Sequence, residues 1–221
     1  MRCIAQIKRR FDVAERTIIL GRGKALRLLC VRDVDALLDR EEYIREERLP
    51  YWAEVWASGV ALARYIAEHP FPSEGTVLDL GCGIGTAGIA AALTGHRVLA
   101  CDYDPDALAF ARCNAHLNRV ASRMRFKWVN WHRPALRGEF PYILGADILY
   151  DRDDIGPLVR FFDRYTAVGG KVLLANPDRG VEKMAWKDLE EIGFRMEAHD
   201  VVPVEEGDRI HRVHIRQWVR A

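Results

Sequence analysis

The spacing of apolar positions changes several times along the chain, and each change marks a different element. Apolar residues cluster in Thr17-Ile18-Ile19-Leu20 and again from Ala25 to Val31, around the turn Gly21-Arg22-Gly23-Lys24. The stretch from Ile4 to Val31 is therefore predicted to be extended and to fold as a hairpin. Asp33 to Arg48 is highly charged but sets Val34, Leu37, Leu38 and Tyr43 on one helical face. Leu49-Pro50-Tyr51 breaks that pattern, and Trp52 to Ala67 resumes helical spacing.

From Thr76 onward strand and helix signals alternate. Thr76 to Leu80 reads as a short apolar strand running into a glycine-rich turn, followed by the small-residue helix Thr86 to Leu93, with Gly95 as its stop. His96 to Cys101 is predicted as the next strand. Asp104 suits the N-cap of the following helix and Pro105 its first turn, where a missing N–H costs nothing. Arg123 to Val129 sets Met124, Phe126 and Trp128 on one strand face, and Tyr142 to Ala146 and Gly170 to Ala175 supply two more strands. Between those two, Leu158, Phe161, Phe162 and Tyr165 form the inner face of a helix. Met184 to Ile192 is a last helix, ended by Gly193. Arg195 to Val202 and Ile210 to Val219 then form a hairpin around Glu205-Glu206-Gly207-Asp208.

Repeated strand–helix units require an α/β fold with a mostly parallel, Rossmann-like sheet and helices on both faces, here finished by a C-terminal antiparallel hairpin. Ligands of such sheets bind outside the carboxyl ends of the strands. Residues just after Leu80, Cys101, Val129 and Ala146 are the places to look. Residues 50–221 are expected to form this domain, with residues 1–49 a hairpin-and-helix extension.

Composition narrows the function. With 49% apolar and 29% charged residues over 221 positions, the chain has an ordinary globular mix. Its net charge of +1 gives no bulk field to attract nucleic acid or an anionic membrane. The longest uncharged stretch, Leu80 to Gly95, carries five glycines and is too short to span a bilayer. The basic residues near Met1 precede no apolar run, which argues against a secretory signal and for the cytoplasm. Five cysteines without a Cys-x-x-Cys pair support neither a disulfide framework nor a zinc ribbon.

The strongest chemical signal is Asp79-Leu80-Gly81-Cys82-Gly83-Ile84-Gly85, a strand entering three alternating glycines before a helix. Glycines let backbone come within contact distance of a ligand. Thr86, the residue after Gly85, stands where a pyrophosphate-binding Gly-x-Gly-x-x-Gly counted from Gly81 would have its last glycine, and Asp79 suits a cationic ligand better than a pyrophosphate. Asp102, 17 positions after Gly85, can take both hydroxyls of a ribose; Asp104 and Asp106 compete for that role but suit helix capping. At Asn130-Trp131 an indole can cover an adenine and an amide can reach its edge. Asp147 and Tyr150, three positions apart after the fourth strand of the series, can grip an amine.

Together with Pro50-Tyr51-Trp52-Ala53-Glu54-Val55-Trp56, these residues resemble the seven-β-strand, S-adenosylmethionine-dependent methyltransferases. Within them the chain is similar to the protein-lysine methyltransferase group, family 16, over roughly residues 50 to 175. The resemblance implies a seven-stranded sheet and S-adenosylmethionine bound by Trp56, Gly81, Gly83, Asp102, Trp131 and Ala146. Asp79, Gly85 and Asn130 join that set from the reading above. Asp147 and Tyr150 are then the catalytic candidates bordering the acceptor, a protein lysine, with a small amine or pyridine nitrogen as the alternative. A binding module without catalysis is a second alternative. Asn130 and Tyr142 depart from the group, which often has Asp at both positions.

No metal is expected. His211 and His214 lie three apart on a strand and so point to opposite faces, and Asp151, Asp153 and Asp154 read as an acidic helix start. Cys82 and Cys101 read as small packing residues. The basic runs Lys8-Arg9-Arg10 and Arg119 to Lys127 are the nearest thing to a nucleic-acid signal. The Asn/Asp-Pro-Pro-Tyr sequence of base-methylating enzymes is replaced here by Asp147-Ile148-Leu149-Tyr150.

Overall fold

A computed structural model describes residues 2–38, 49–72 and 75–221. Five parallel strands form most of one seven-stranded sheet: β3 (Thr76–Leu80), β4 (Arg97–Asp102), β5 (Met124–Trp128), β6 (Phe140–Ala146) and β7 (Thr166–Asn176). β8 (Phe194–Glu206) and β9 (Arg209–Arg220) complete it as the predicted hairpin, giving the order β5-β4-β3-β6-β7-β9-β8 with β9 antiparallel to both neighbours. The strand order reverses around β3, where crossovers leave in both directions and a crevice opens at the carboxyl ends.

Alternation along β3 sorts the two faces. Val77 joins the core under α2 (Ala57–Glu68), α3 (Thr86–Leu93) and α4 (Pro105–Leu117), whereas Leu78 and Leu80 join the core under α5 (Arg152–Tyr165) and α6 (Lys183–Glu191). By the same alternation Asp79 points toward α3, not toward the apolar core of α5. Leu158, Phe161, Phe162 and Tyr165 are all buried, as their spacing predicts. Trp128 is not. β5 is an edge strand, and its last side chain is 57% exposed while Met124 is buried.

The N-terminal region differs from the reading of its sequence. Residues Arg2–Arg10 form helix α1, not part of an extended run. Ile4, Ile7 and Phe11 recur at helical spacing, Ile7 and Phe11 are buried, and Lys8, Arg9 and Arg10 sit at the helix's negative end. The hairpin itself, β1 (Val13–Gly21) with β2 (Lys24–Val31), is a separate two-stranded sheet that buries Leu20, Leu26 and Leu28 in the core of α2–α4. The amide of Asn114, fully buried in α4, ties the two together. Its Oδ1 accepts from the Leu29 N–H at 2.7 Å, and its Nδ2 donates to the carbonyls of Leu29 and Ile84, each at 3.0 Å. Of the helix expected over Asp33–Arg48, one turn is seen at Asp35–Leu38, and residues 39–48 lie outside the described residues. The helix expected from Trp52 is split into a 3-10 turn at Tyr51–Ala53, an extended step to Trp56, and then α2.

Candidate functional site

The loops after β3, β4 and β6 converge beside Tyr51–Trp56 and bound an open cleft. The glycine bend forms its floor. Gly81 and Gly83 have φ of +64° and +51°; a Cβ would stand 2.8 Å from Ile148 Cγ2 on the first and 3.2 Å from the Trp52 carbonyl oxygen on the second. Both positions therefore exclude a side chain by conformation and by space. Gly85 serves a different purpose. Its missing Cβ admits Ile89 and Ala111, at 3.1 and 3.2 Å, so it lets α3 pack on α4 and does not line the cleft.

Two buried carboxylates flank the bend. Asp102 accepts from the N–H of Gly83 at 2.8 Å and of Asp104 at 2.9 Å, and Asp79 accepts from Gly88 at 2.9 Å. Burial pushes the Asp79 carboxyl up to about 7, with the Asp102 charge adding to it and the Gly88 N–H opposing. Burial likewise raises Asp102 to about 6, against the stabilising N–H groups of Asp104 and Gly83. Asp104 and Asp106 take other roles. Asp104 caps α4 by accepting from the Asp106 N–H at 2.8 Å, and both Asp106 oxygens pair with Arg10, at 2.6 and 3.0 Å.

Aromatic side chains rim the opening. Trp56 Nε1 donates to the Tyr51 carbonyl at 2.7 Å, and the Tyr51 ring packs edge-on against Trp56 and Tyr150, with centroids 6.3 and 5.5 Å away. Trp131 lines the cleft while its Nε1 donates to Asp154 at 2.9 Å. Asn130 is outside the lining, its Oδ1 accepting from the His132 N–H at 2.8 Å. Ala146, Asp147 and Tyr150 complete the wall beyond β6. Asp147 has φ of +55°, and its N–H donates to the Ala175 carbonyl at 2.8 Å. Burial, with Asp154 second, raises the Tyr150 phenol well above its ordinary range.

Sequence reasoning took Trp56 from the Pro50–Trp56 run, yet Tyr51, Trp52 and Glu54 of that run also face the cleft, as does Tyr103. It missed Arg179 altogether. Both Asp147 oxygens accept from the Arg179 guanidinium, Oδ2 at 3.0 Å from Nη2. Nothing in the spacing of residues 32 positions apart announces that pair.

The remaining candidates stay apart from this cleft or are inert. His211 lies 3.2 Å from Glu206, and His214 contacts His199 at 2.9 Å, so the two histidines face different partners. Asp151 caps α5 by accepting from the Asp153 N–H, and Asp154 is bonded to Trp131 and His132. Among the described residues no cluster of three or more His, Cys, Asp or Glu side chains could hold a metal. Burial pushes the Cys82 thiol well above its ordinary value and Cys101 up to about 12, so both stay protonated near neutrality.

A family model described as lysine methyltransferase matches residues 43–191, about two thirds of the sequence. The chain belongs to the lysine methyltransferase family. Among curated relatives, the electron transfer flavoprotein beta subunit lysine methyltransferase of Homo sapiens is 47% identical over 140 residues, covering 59% of this chain and 50% of the relative. Protein N-lysine methyltransferase METTL21A of Danio rerio is 32% identical over 136 residues, covering 58% of this chain and 62% of that protein. The chain spans about half the length of the electron transfer flavoprotein relatives of Xenopus laevis, Rattus norvegicus and Homo sapiens. In structure it is similar to the glycopeptide N-methyltransferase MtfA solved with S-adenosylmethionine, at 18% identity and TM-score 0.61, covering 79% of this chain and 99% of that one. The N-methyltransferase NodS of Bradyrhizobium japonicum, solved with S-adenosylhomocysteine, aligns at 15% identity and TM-score 0.60 over 86% of this chain and 93% of its own. At such identities the likeness establishes the Rossmann-like methyltransferase fold. The predicted fold class and family are thus both borne out.

Proposed function

We propose that the cleft binds S-adenosylmethionine and that the chain methylates the side-chain nitrogen of a protein lysine. The observation that carries this reading is the cleft's charge and shape together. Four carboxylates (Glu54, Asp79, Asp102 and Asp147) line it with no Lys or Arg among the described lining residues, and its floor is bare glycine backbone, where a Cβ would collide with Ile148 or Trp52. Such a lining suits a cationic sulfonium carrying a ribose and repels a pyrophosphate. Gly81 and Gly83 would allow close approach, Asp102 would hold the ribose, Asp79 would offset positive charge, and Trp131 would cover the base. The relatives named for lysine methylation support the acceptor class.

When bound, the methyl donor supplies an electrophilic carbon on sulfur; the bond to sulfur breaks with its electron pair left on sulfur as the amine nitrogen bonds that carbon. The protein's own contribution is placement, which can be worth several kcal/mol. A lysine amine has a second barrier. Its ordinary pKa of about 10.4 means that presenting a free amine at neutrality costs about 4 kcal/mol. The aromatic rim of Tyr51, Trp56 and Tyr150 would displace water from the amine, which favours its neutral form and releases its proton to solvent. Tyr150 walls the channel as an apolar face, its phenol remaining protonated. Asp147 stands where it can orient the amine.

Purified protein incubated with tritiated S-adenosylmethionine and a heat-treated cell extract should place acid-precipitable label on lysine. The electron transfer flavoprotein beta subunit is the first purified acceptor to test. Label confined to the acid-soluble fraction would favour the small-amine reading, and failure to bind S-adenosylhomocysteine would overturn the proposal.

The raised carboxyls give a second expectation. Because Asp79 and Asp102 titrate near 7 and 6 in the free protein, against about 4 in an unfolded chain, they hold protons that the unfolded chain has released. Their contribution to fold stability therefore falls as pH rises from about 4 to 7. A cationic ligand selects their ionised forms, so binding should release protons between pH 6 and 7, and affinity should weaken as pH drops through that range. Calorimetry of S-adenosylmethionine binding in buffers of different ionisation enthalpy measures this; proton uptake in place of release would refute it.

A further inference from the structure

We propose that Arg179 is a positioning residue of the acceptor site, which fixes and neutralises Asp147 so that the cleft accepts a lysine as its free amine. The inference rests on the lysine-methylation reading and concerns a residue that neither the motifs nor the cleft lining includes.

An unpaired carboxylate beside the acceptor would work against the reaction. It favours the ammonium form, which has no lone pair to attack with. In this structure the Asp147 side chain is only 7% exposed, and both its oxygens are taken by the Arg179 fork. The paired geometry fixes the carboxylate's plane as well as its charge. Asp147 also holds a left-handed backbone pinned by its N–H to Ala175, so the side chain is anchored from both ends.

The loop carrying Arg179 is itself held. Asp178, at φ of +65°, accepts from Arg216 Nη2 at 3.2 Å, and the Arg216 guanidinium lies 5.1 Å over the Trp186 ring, which stacks on Trp218. Arg216 is thereby committed to Asp178 and Trp186. Glu182, 1% exposed and with both oxygens unpartnered among the described residues, adds negative charge next to Arg179.

The other described groups that line the cleft are acidic or neutral. Tyr51 and Glu54 approach from the segment before α2, Asp102 and Tyr103 from the end of β4, Asp79 from β3, and Tyr150 from the loop after β6. Asp151 and Asp154 at the start of α5 act on Tyr150, Asp154 with His132 bonded to it. Among the described residues, Arg179 is the cation bonded directly to a carboxylate of the cleft wall. Without it, the acceptor would meet Asp147 as an uncompensated carboxylate.

Two measurements test this, with Arg179→Gln and Arg179→Lys each shown to be folded and to bind S-adenosylhomocysteine. In the first, n-butylammonium is titrated into the S-adenosylhomocysteine complex at pH 7. Arg179→Gln should bind it at least 10-fold more tightly than the unsubstituted protein, because the freed carboxylate prefers the cation. Equal or weaker binding would overturn the proposal, whatever the protein's true acceptor is. In the second, the initial rate of acid-precipitable labelling of extract protein is followed against pH. Arg179→Gln should fall about 10-fold at pH 7 and recover near pH 9, with Arg179→Lys restoring most of the neutral-pH rate. A loss equal at every pH would show a merely structural role and reject the inference. No labelling by the unsubstituted protein would count against the lysine reading, and the butylammonium titration would still decide Arg179.

Discussion

Asp102→Ala is expected to weaken S-adenosylhomocysteine binding at least 100-fold, the largest functional loss of any single substitution in the cleft. Removing an ionised acceptor from a ligand's hydroxyls costs about 1.5–3 kcal/mol for the charge-assisted bonds alone. Here the loss is compounded, because the same carboxylate accepts from the N–H groups of Gly83 and Asp104 and so shapes the glycine bend. Asp102→Asn keeps an acceptor oxygen but loses the charge, and should fall between the two proteins. Isothermal titration with S-adenosylhomocysteine provides the affinities, and a thermal melt separates lost binding from lost fold. Relieving a buried carboxyl whose pKa is raised to about 6 offsets part of the cost of the two stranded N–H groups, so the melting temperature should move little. Unchanged affinity in Asp102→Ala would remove the ribose role from this residue.

Asn114→Ala should produce the largest loss of stability. One fully buried amide satisfies three backbone groups: the Leu29 N–H and the carbonyls of Leu29 and Ile84. Leaving each buried polar group unmatched costs about 1–3 kcal/mol, so a combined loss of about 3 kcal/mol or more is expected. Because Ile84 lies within the glycine bend and Leu29 in β2, the damage should spread in two directions. The hairpin should exchange its amide hydrogens faster, and the cleft should lose affinity for the methyl donor as its floor loosens. Denaturant unfolding gives the free energy, and hydrogen exchange shows which elements loosen. A loss below about 1 kcal/mol would mean that water replaces the amide at all three groups.

The legible parts of this fold are those where a local signal has a local cause. The strand Thr76–Leu80 and the helix Thr86–Leu93 are predicted to the residue, because β-branched and apolar residues, three glycines and a run of alanines each decide their own segment. The Asp104 cap is legible for the same reason, since the side chain bonds an N–H two residues away. Helix α1 was not. Its sequence has neither an N-cap signal nor an acidic first turn, and it is stabilised from outside by Arg10 pairing with Asp106. Trp128 looks like a core residue beside Met124 and Phe126, yet whether a strand has a covering neighbour is decided by sheet order.

The site divides along the same line. Gly81, Gly83, Asp79, Asp102, Trp131, Ala146, Asp147, Tyr150 and Trp56 all reach one cleft, since each follows a strand end or sits in a recognisable run. Gly85 and Asn130 share those motifs but face elsewhere, one for helix packing and one for a tight turn. Arg179 required the third dimension.

The placement of β9 also governs how such a chain can be made. It comes after every other strand in sequence, yet it lies between β7 and β8 and hydrogen-bonds to both. During translation β8 therefore leaves the ribosome with no partner in the growing sheet, and β7 presents an open edge, until residues 209–220 emerge. At roughly 5–20 residues per second that interval is short, but through it the nascent chain displays two unpaired strand borders. A stalled or shortened message would release a molecule with its glycine bend complete and its sheet unsealed, a species primed to aggregate and not to catalyse.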